Sequence, residues 1–165
     1  MFRTFLLAAG LAVCLASSQT PKADKPWTIT TAPHWLLFAV PNAGIEYRLR
    51  PEMGVAVRAG VNPMQEDSYQ LLTAEIRSYR RRSGPHALWL GVEALWARLD
   101  NSEYEYVQVE HHLGLGPVLG YRFEHRSGFT ASAHAGPALL ADKITGADWG
   151  FMPWFLIGAD AGWSF

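Results

Sequence analysis

FMPWFLIGADAGWSF, residues 151–165, decides the fold because it repeats every two residues. Phe151, Pro153, Phe155, Ile157, Ala159, Ala161, Trp163 and Phe165 fall on one side. Met152, Trp154, Leu156, Gly158, Asp160, Gly162 and Ser164 fall on the other. A strand sends successive side chains to opposite faces, so these are two faces of one strand. The first face is apolar throughout, and the second carries small and polar residues around a carboxylate. That is the wrong way round for a water-facing edge strand. It suits a strand with lipid outside and a crowded polar lumen inside.

The alternation recurs upstream and yields eight strands. The first runs from about Trp27 to Val40 and is interrupted by Pro33, a residue that fits strand ends and bulges better than ladder interiors. The second, Asn42 to Leu49, sets Ala43, Ile45, Tyr47 and Leu49 against Gly44, Glu46 and Arg48; the third sets Met53, Val55, Val57, Ala59 and Val61 against Gly54, Ala56, Arg58 and Gly60. The fourth, about Tyr69 to Arg80, opposes Leu72, Ala74 and Ile76 to Thr73, Glu75 and Arg77. In the fifth, Ala87 to Arg98, Leu88, Leu90, Val92, Ala94 and Trp96 oppose Trp89, Gly91 and Glu93. The sixth, from Val107 to Phe123, turns Leu113, Leu115, Leu119, Tyr121 and Phe123 one way and Glu110, His112, Gly120 and Arg122 the other. The seventh opposes Phe129, Ala131, Ala133, Ala135 and Leu139 to Thr130, Ser132, His134 and Gly136. Short turns near Pro51, Gly84 and Ser127 alternate with longer polar loops at Asn62 to Ser68, Asp100 to Glu105 and Asp142 to Gly150. Outer-membrane barrels alternate periplasmic turns and extracellular loops in this way.

Composition allows this reading. A mean hydropathy of -0.01 with 49% hydrophobic and 18% charged residues is what a barrel gives, because its two faces average out. The net charge of -1 does not favour a nucleic-acid partner. Residues 1–18 read as a secretory leader: Arg3, an apolar run from Phe5 to Leu15, then small residues, with cleavage after Ala16 or Ser18. Loss of Arg3 with the leader leaves a net charge of -2. Val13 sits where a small residue would precede a lipidated Cys14, so a lipoprotein is disfavoured. The mature chain then has no cysteine and relies on its sheet for stability. Residues 19–26 form a linker, and residues 27–165 form an all-β domain, an eight-stranded antiparallel transmembrane β-barrel with short periplasmic turns.

If Phe165 lies at the periplasm, the turns near Pro51, Gly84 and Ser127 lie there too. Tyr47, Tyr121, Phe123, Phe129, Trp163 and Phe165 then gather on the apolar face at that end, as an aromatic girdle. The alternating Phe155, Ile157, Trp163 and terminal Phe165 resemble the last strand of bacterial outer-membrane barrels. The resemblance implies recognition by the barrel-assembly machinery and a setting in the outer-membrane lipid of a Gram-negative bacterium. Three further segments, PNAGIEYRL from Pro41, MGVAVRAGVNP from Met53 and LLTAEIRSYRRR from Leu71, are similar to an uncharacterised family of Bacteroidetes outer-membrane barrels, a domain of unknown function. Asn42, Gly44 and Glu46 match its first element, Gly60, Asn62 and Pro63 its second, and Glu75, Arg77 and Tyr79 its third. The resemblance implies a membrane barrel and no known activity.

Inside the barrel, Glu46, Arg58, Glu75, Arg77, Glu93, Glu110, Arg122, His134 and Asp160 make up a lumen charge network, with Arg48 and His112 on the same face. Eight strands leave a lumen just wide enough for side chains to fill, so acids and bases are expected to pair into a solid plug. The lumen glycines leave room for Trp89 and Trp154. The reading is a structural or surface-binding protein without catalysis, cofactor or metal. One alternative is a lipid A-modifying enzyme using Ser132 and His134 with Glu110 or His112, since acyl transfer requires a nucleophile, a base and a carboxylate. Another is a soluble lipocalin-like carrier, which would need an apolar lumen. His111 and His112 point to opposite faces and cannot share an ion. His111 falls on the lipid face, which places it near the outer rim. Glu103, Tyr104, Glu105 and Tyr106 form an acidic loop that could meet an extracellular or cell-wall partner.

Overall fold

Eight stretches of alternating sequence become eight strands: β1 (Trp27–Thr31), β2 (Asn42–Arg50), β3 (Met53–Asn62), β4 (Ser68–Arg81), β5 (His86–Asn101), β6 (Gln108–Glu124), β7 (Phe129–Ile144) and β8 (Gly150–Ser164). In this computed structural model each strand pairs antiparallel with the next, and β8 pairs with β1 to close the ring. The structure describes residues 25–36, 40–62, 68–81, 85–101, 108–144 and 148–165. The expected leader, most of the linker, and the loop residues Glu103 to Tyr106 lie outside the described residues.

The register fixes the shape of the ring. Thr30 pairs directly with Gly162 of β8. Followed the other way, through Gly44, Arg58, Thr73, Leu95, Gly114 and Leu140, the ladder arrives at Met152, ten residues further up β8. A stagger of ten residues over eight strands corresponds to a strand tilt of about 40°. The wall is also uneven, because β5 to β8 run 15 to 17 residues where β1 has 5.

β1 departs from the sequence reading. It stops at Thr31, and Pro33 opens a single helical turn, α1 (Pro33–Leu36), that packs against β8. Proline's fixed φ and missing N–H suit the first position of a helix as well as a strand end, so its presence alone does not choose between them. Pro117 and Pro137 sit within β6 and β7, and the regular pairing of those strands lapses between Leu115↔Leu139 and Leu119↔Ala135. Neither proline has an N–H to give to the ladder. The Ser127 turn closes through Gly128, whose φ of 110° is one that L side chains rarely adopt.

The two faces separate as the alternation requires. Outward residues such as Ile29, Ile45, Val57, Ile76, Leu90, Leu115, Leu119, Leu139 and Ile157 are exposed all round the barrel, Ile157 to 71%. Inward, Tyr79, Trp89, Val118 and Leu156 form the apolar core cluster. Three positions differ from expectation. Phe123 has outward parity yet is only 3% exposed, with the rings of His86 and His125 at 5.5 and 6.5 Å. Trp154 and Met152 have lumen parity but are exposed, Trp154 to 53%, because this upper part of β8 lies beyond the short β1. Trp89 does fill the lumen at 1% exposure, and it lies so close over Gly120 that a methyl group there would overlap the indole. Gly120→Ala is therefore expected to destabilise the barrel by about 1–3 kcal/mol, read by urea unfolding. An unchanged unfolding midpoint would contradict the packing of Trp89 on Gly120.

Candidate functional site

Every strand sends a polar side chain into the half of the lumen nearest the turns. Glu46 of β2 is at its centre, 1% exposed. Its Oε2 accepts from Arg77 Nη1 at 2.9 Å and Arg122 Nη1 at 2.5 Å, and its Oε1 accepts from the Tyr79 hydroxyl at 2.6 Å. Arg77 also donates through Nε to Glu75 Oε2 at 2.7 Å and through Nη2 to Asp160 Oδ2 at 3.2 Å. Arg58 pairs with the other oxygen of Asp160. Arg122 reaches Thr28 at 3.0 Å and Ser164 at 3.3 Å, and so ties the network to the β1–β8 seam.

Outside this centre, Arg48 donates to Glu124 at 2.6 Å and lies over the Tyr79 ring at 4.9 Å. Arg77 lies over Trp89 at 4.6 Å. Glu75 and Glu93 are direct cross-strand partners, so each carboxylate needs its own donor. Glu75 has Arg77, whereas Glu93 Oε2 lies 3.1 Å from His134 Nε2 without a hydrogen bond to it.

Eight of the nine network residues expected from sequence are buried in this assembly: Glu46, Arg58, Glu75, Arg77, Glu93, Arg122, His134 and Asp160. Glu110 is not among them. It lies at the opposite mouth, 3.6 Å from His112, whose Nδ1 is 2.6 Å from Asp142. Glu110 has inward parity but sits too far up β6 to reach the buried centre. Tyr79, Glu124, Thr28 and Ser164 are network members beyond the nine expected from sequence. Tyr79 and Glu124 each lie two residues beyond a named member, Arg77 and Arg122, so one more step of the alternation reaches them.

Charges withdrawn from water are tolerable only when paired and hydrogen-bonded. The centre of the cluster meets that condition, with Glu46 accepting from Arg77, Arg122 and Tyr79 and Asp160 from Arg58, Arg77 and Ser132, and it bridges strands distant in sequence. Above it Trp89, Val118 and Leu156, with Leu95 and Ala138 against them, form an apolar layer. Ser132 and His134 do not form a nucleophile and base pair. The Ser132 hydroxyl donates to Asp160 at 3.2 Å, while His134 faces Glu93. Glu75, His134 and Asp160 bring one potential metal-ligand atom each within 4.8 Å of one another. Both carboxylates already hold guanidinium groups, so a metal cation there would face Arg77 and Arg58.

The residues of the expected assembly signal, Phe155, Ile157, Trp163 and Phe165, are all exposed, on the outward parity of β8. Trp163 and Phe165 lie beside β1, where Phe165 N donates to the Trp27 carbonyl at 3.0 Å. Compared with known proteins, the chain matches no family model, no curated protein and no solved structure.

Proposed function

We propose that the chain is an outer-membrane β-barrel with a filled polar lumen, acting as a structural or surface-binding protein and not as a catalyst. The observation that carries this reading is the continuous outward belt of exposed large apolar residues around a charged interior. In water such a belt would far exceed the apolar patches soluble monomers tolerate. In lipid it is the expected surface, and the buried ion network is the expected filling of a narrow barrel.

Two further features support the reading. Trp27, Tyr47, Tyr121, Phe129, Trp163 and Phe165 are exposed at the end carrying the short turns, as an interfacial girdle requires. The resemblance to Bacteroidetes barrels suggested by PNAGIEYRL, MGVAVRAGVNP and LLTAEIRSYRRR is part of the same proposal. The turns near Pro51, Gly84 and Ser127 then face the periplasm, and the barrel-assembly machinery and outer-membrane lipid are the partners.

Lipid contact can be read from tryptophan fluorescence. In vesicles containing brominated lipids, the outward Trp27 and Trp163 are expected to be quenched. A variant retaining only Trp89 should keep its emission. Quenching of Trp89, or none of the outward tryptophans, would overturn the proposal.

A further inference from the structure

The outward face carries one basic row among its apolar ones. Arg98 of β5 pairs in register with His111 of β6, and His111 with Lys143 of β7, so three outward side chains from three adjacent strands stand side by side. Asp100 takes one side of Arg98 at 3.0 Å. Lys143 lies 5.7 Å from the Trp149 ring, and His111 packs on Trp96 at 6.4 Å. Among the described residues no acid engages Lys143 or His111. Asp148 adjoins Trp149 in sequence.

Directly towards the turn end, the next rows are Leu72, Trp96, Leu113 and Ala141, then Ala74, Ala94, Leu115 and Leu139. Alanines between leucines leave a furrow here, an open apolar groove of about 490 Å³. Trp96 lines the groove and packs on His111 of the basic row. A groove wide enough for hydrocarbon, ending under a row of nitrogen donors, is complementary to an amphiphile with acyl chains and an anionic head.

We propose that Arg98, His111 and Lys143, with the groove around Ala74, Ala94 and Leu115, bind a phosphate-bearing lipid on the outer wall of the barrel. The site rests on the membrane-barrel reading above. The phosphate sits against Lys143 and His111 at the mouth of the groove, and one acyl chain lies over Ala94. The row accounts for His111, which is otherwise a polar residue on an apolar face.

The test uses the folded chain in nanodiscs of phosphatidylcholine containing one part in ten phosphatidic acid. Lipid retained after detergent extraction is counted by native mass spectrometry. Phosphatidic acid is expected to be retained well above its share. Arg98→Gln with Lys143→Gln should reduce that preference about twenty-fivefold, at roughly fivefold per cation near a membrane surface. Ala94→Trp, which fills the groove, should lower retention of both lipids. All three changes face outward, and a heat-dependent gel shift in each sample reports that the barrel is folded. Equal retention of the two lipids by a folded wild-type barrel, or an unchanged preference in the double variant, would overturn the site alone. Displacement of the lipid by millimolar inorganic phosphate would reduce it to a free-anion site. Wild-type protein without a heat-dependent shift would overturn the barrel reading and this site with it.

Discussion

Glu46→Ala is expected to cost the barrel about 3–5 kcal/mol, the largest effect of any single lumen change. Glu46 accepts from Arg77, Arg122 and Tyr79 at once, and none of the three has room to turn to water. Its removal leaves two guanidinium groups facing each other across a buried gap. Arg77 keeps Glu75 and Asp160, whereas Arg122 keeps only hydroxyl partners and the more distant Glu124 at 3.6 Å. Glu46→Gln retains an acceptor for Tyr79 and should recover part of the loss. Glu75→Ala and Arg77→Ala are each expected to cost about 3 kcal/mol. Urea unfolding of the reconstituted protein measures all four. Changes below about 0.5 kcal/mol throughout, the size of a surface substitution, would mean that the charges do not hold the strands together.

The second large effect tests the outer face. Leu119 stands in the outward row Leu90, Leu119, Ala135 and Ile157, well away from both polar ends of the barrel. Leu119→Arg is expected to destabilise the protein by about 2–4 kcal/mol in vesicles, the cost of a cation near the bilayer midplane. On a water-facing surface the same change would fall within about 0.5 kcal/mol of zero. The unfolding free energy of this variant therefore distinguishes a barrel in lipid from a carrier in water, whatever the lumen contains.

The strands and their faces were legible because a period of two needs only local sequence. Residues 151–165 alternate so regularly that inward Asp160 and outward Ile157 could be assigned from that stretch alone. β1 was misjudged because Pro33 serves a helix start as readily as a strand interruption, and apolar residues continue past it. Parity also says nothing about cover: Phe123 has an outward position but lies among the rings of His86 and His125.

The network was legible as a set of residues and not as a set of pairs. Which charges meet depends on the stagger of the ring, and no local pattern encodes it. Arg58 and Asp160 are 102 residues apart and bond because β3 and β8 face each other across the lumen. The same stagger puts Glu110 at the far mouth, although it shares its strand face with Arg122.

The most direct test of a membrane barrel is to express the full chain in a Gram-negative host, separate the membranes, and run the outer-membrane fraction on a gel with and without boiling. A folded barrel should be found in that fraction and should migrate differently before and after heating. Protein recovered in the soluble periplasm, with the same mobility in both lanes, would contradict the account and mean that its apolar outer face is covered by something other than lipid.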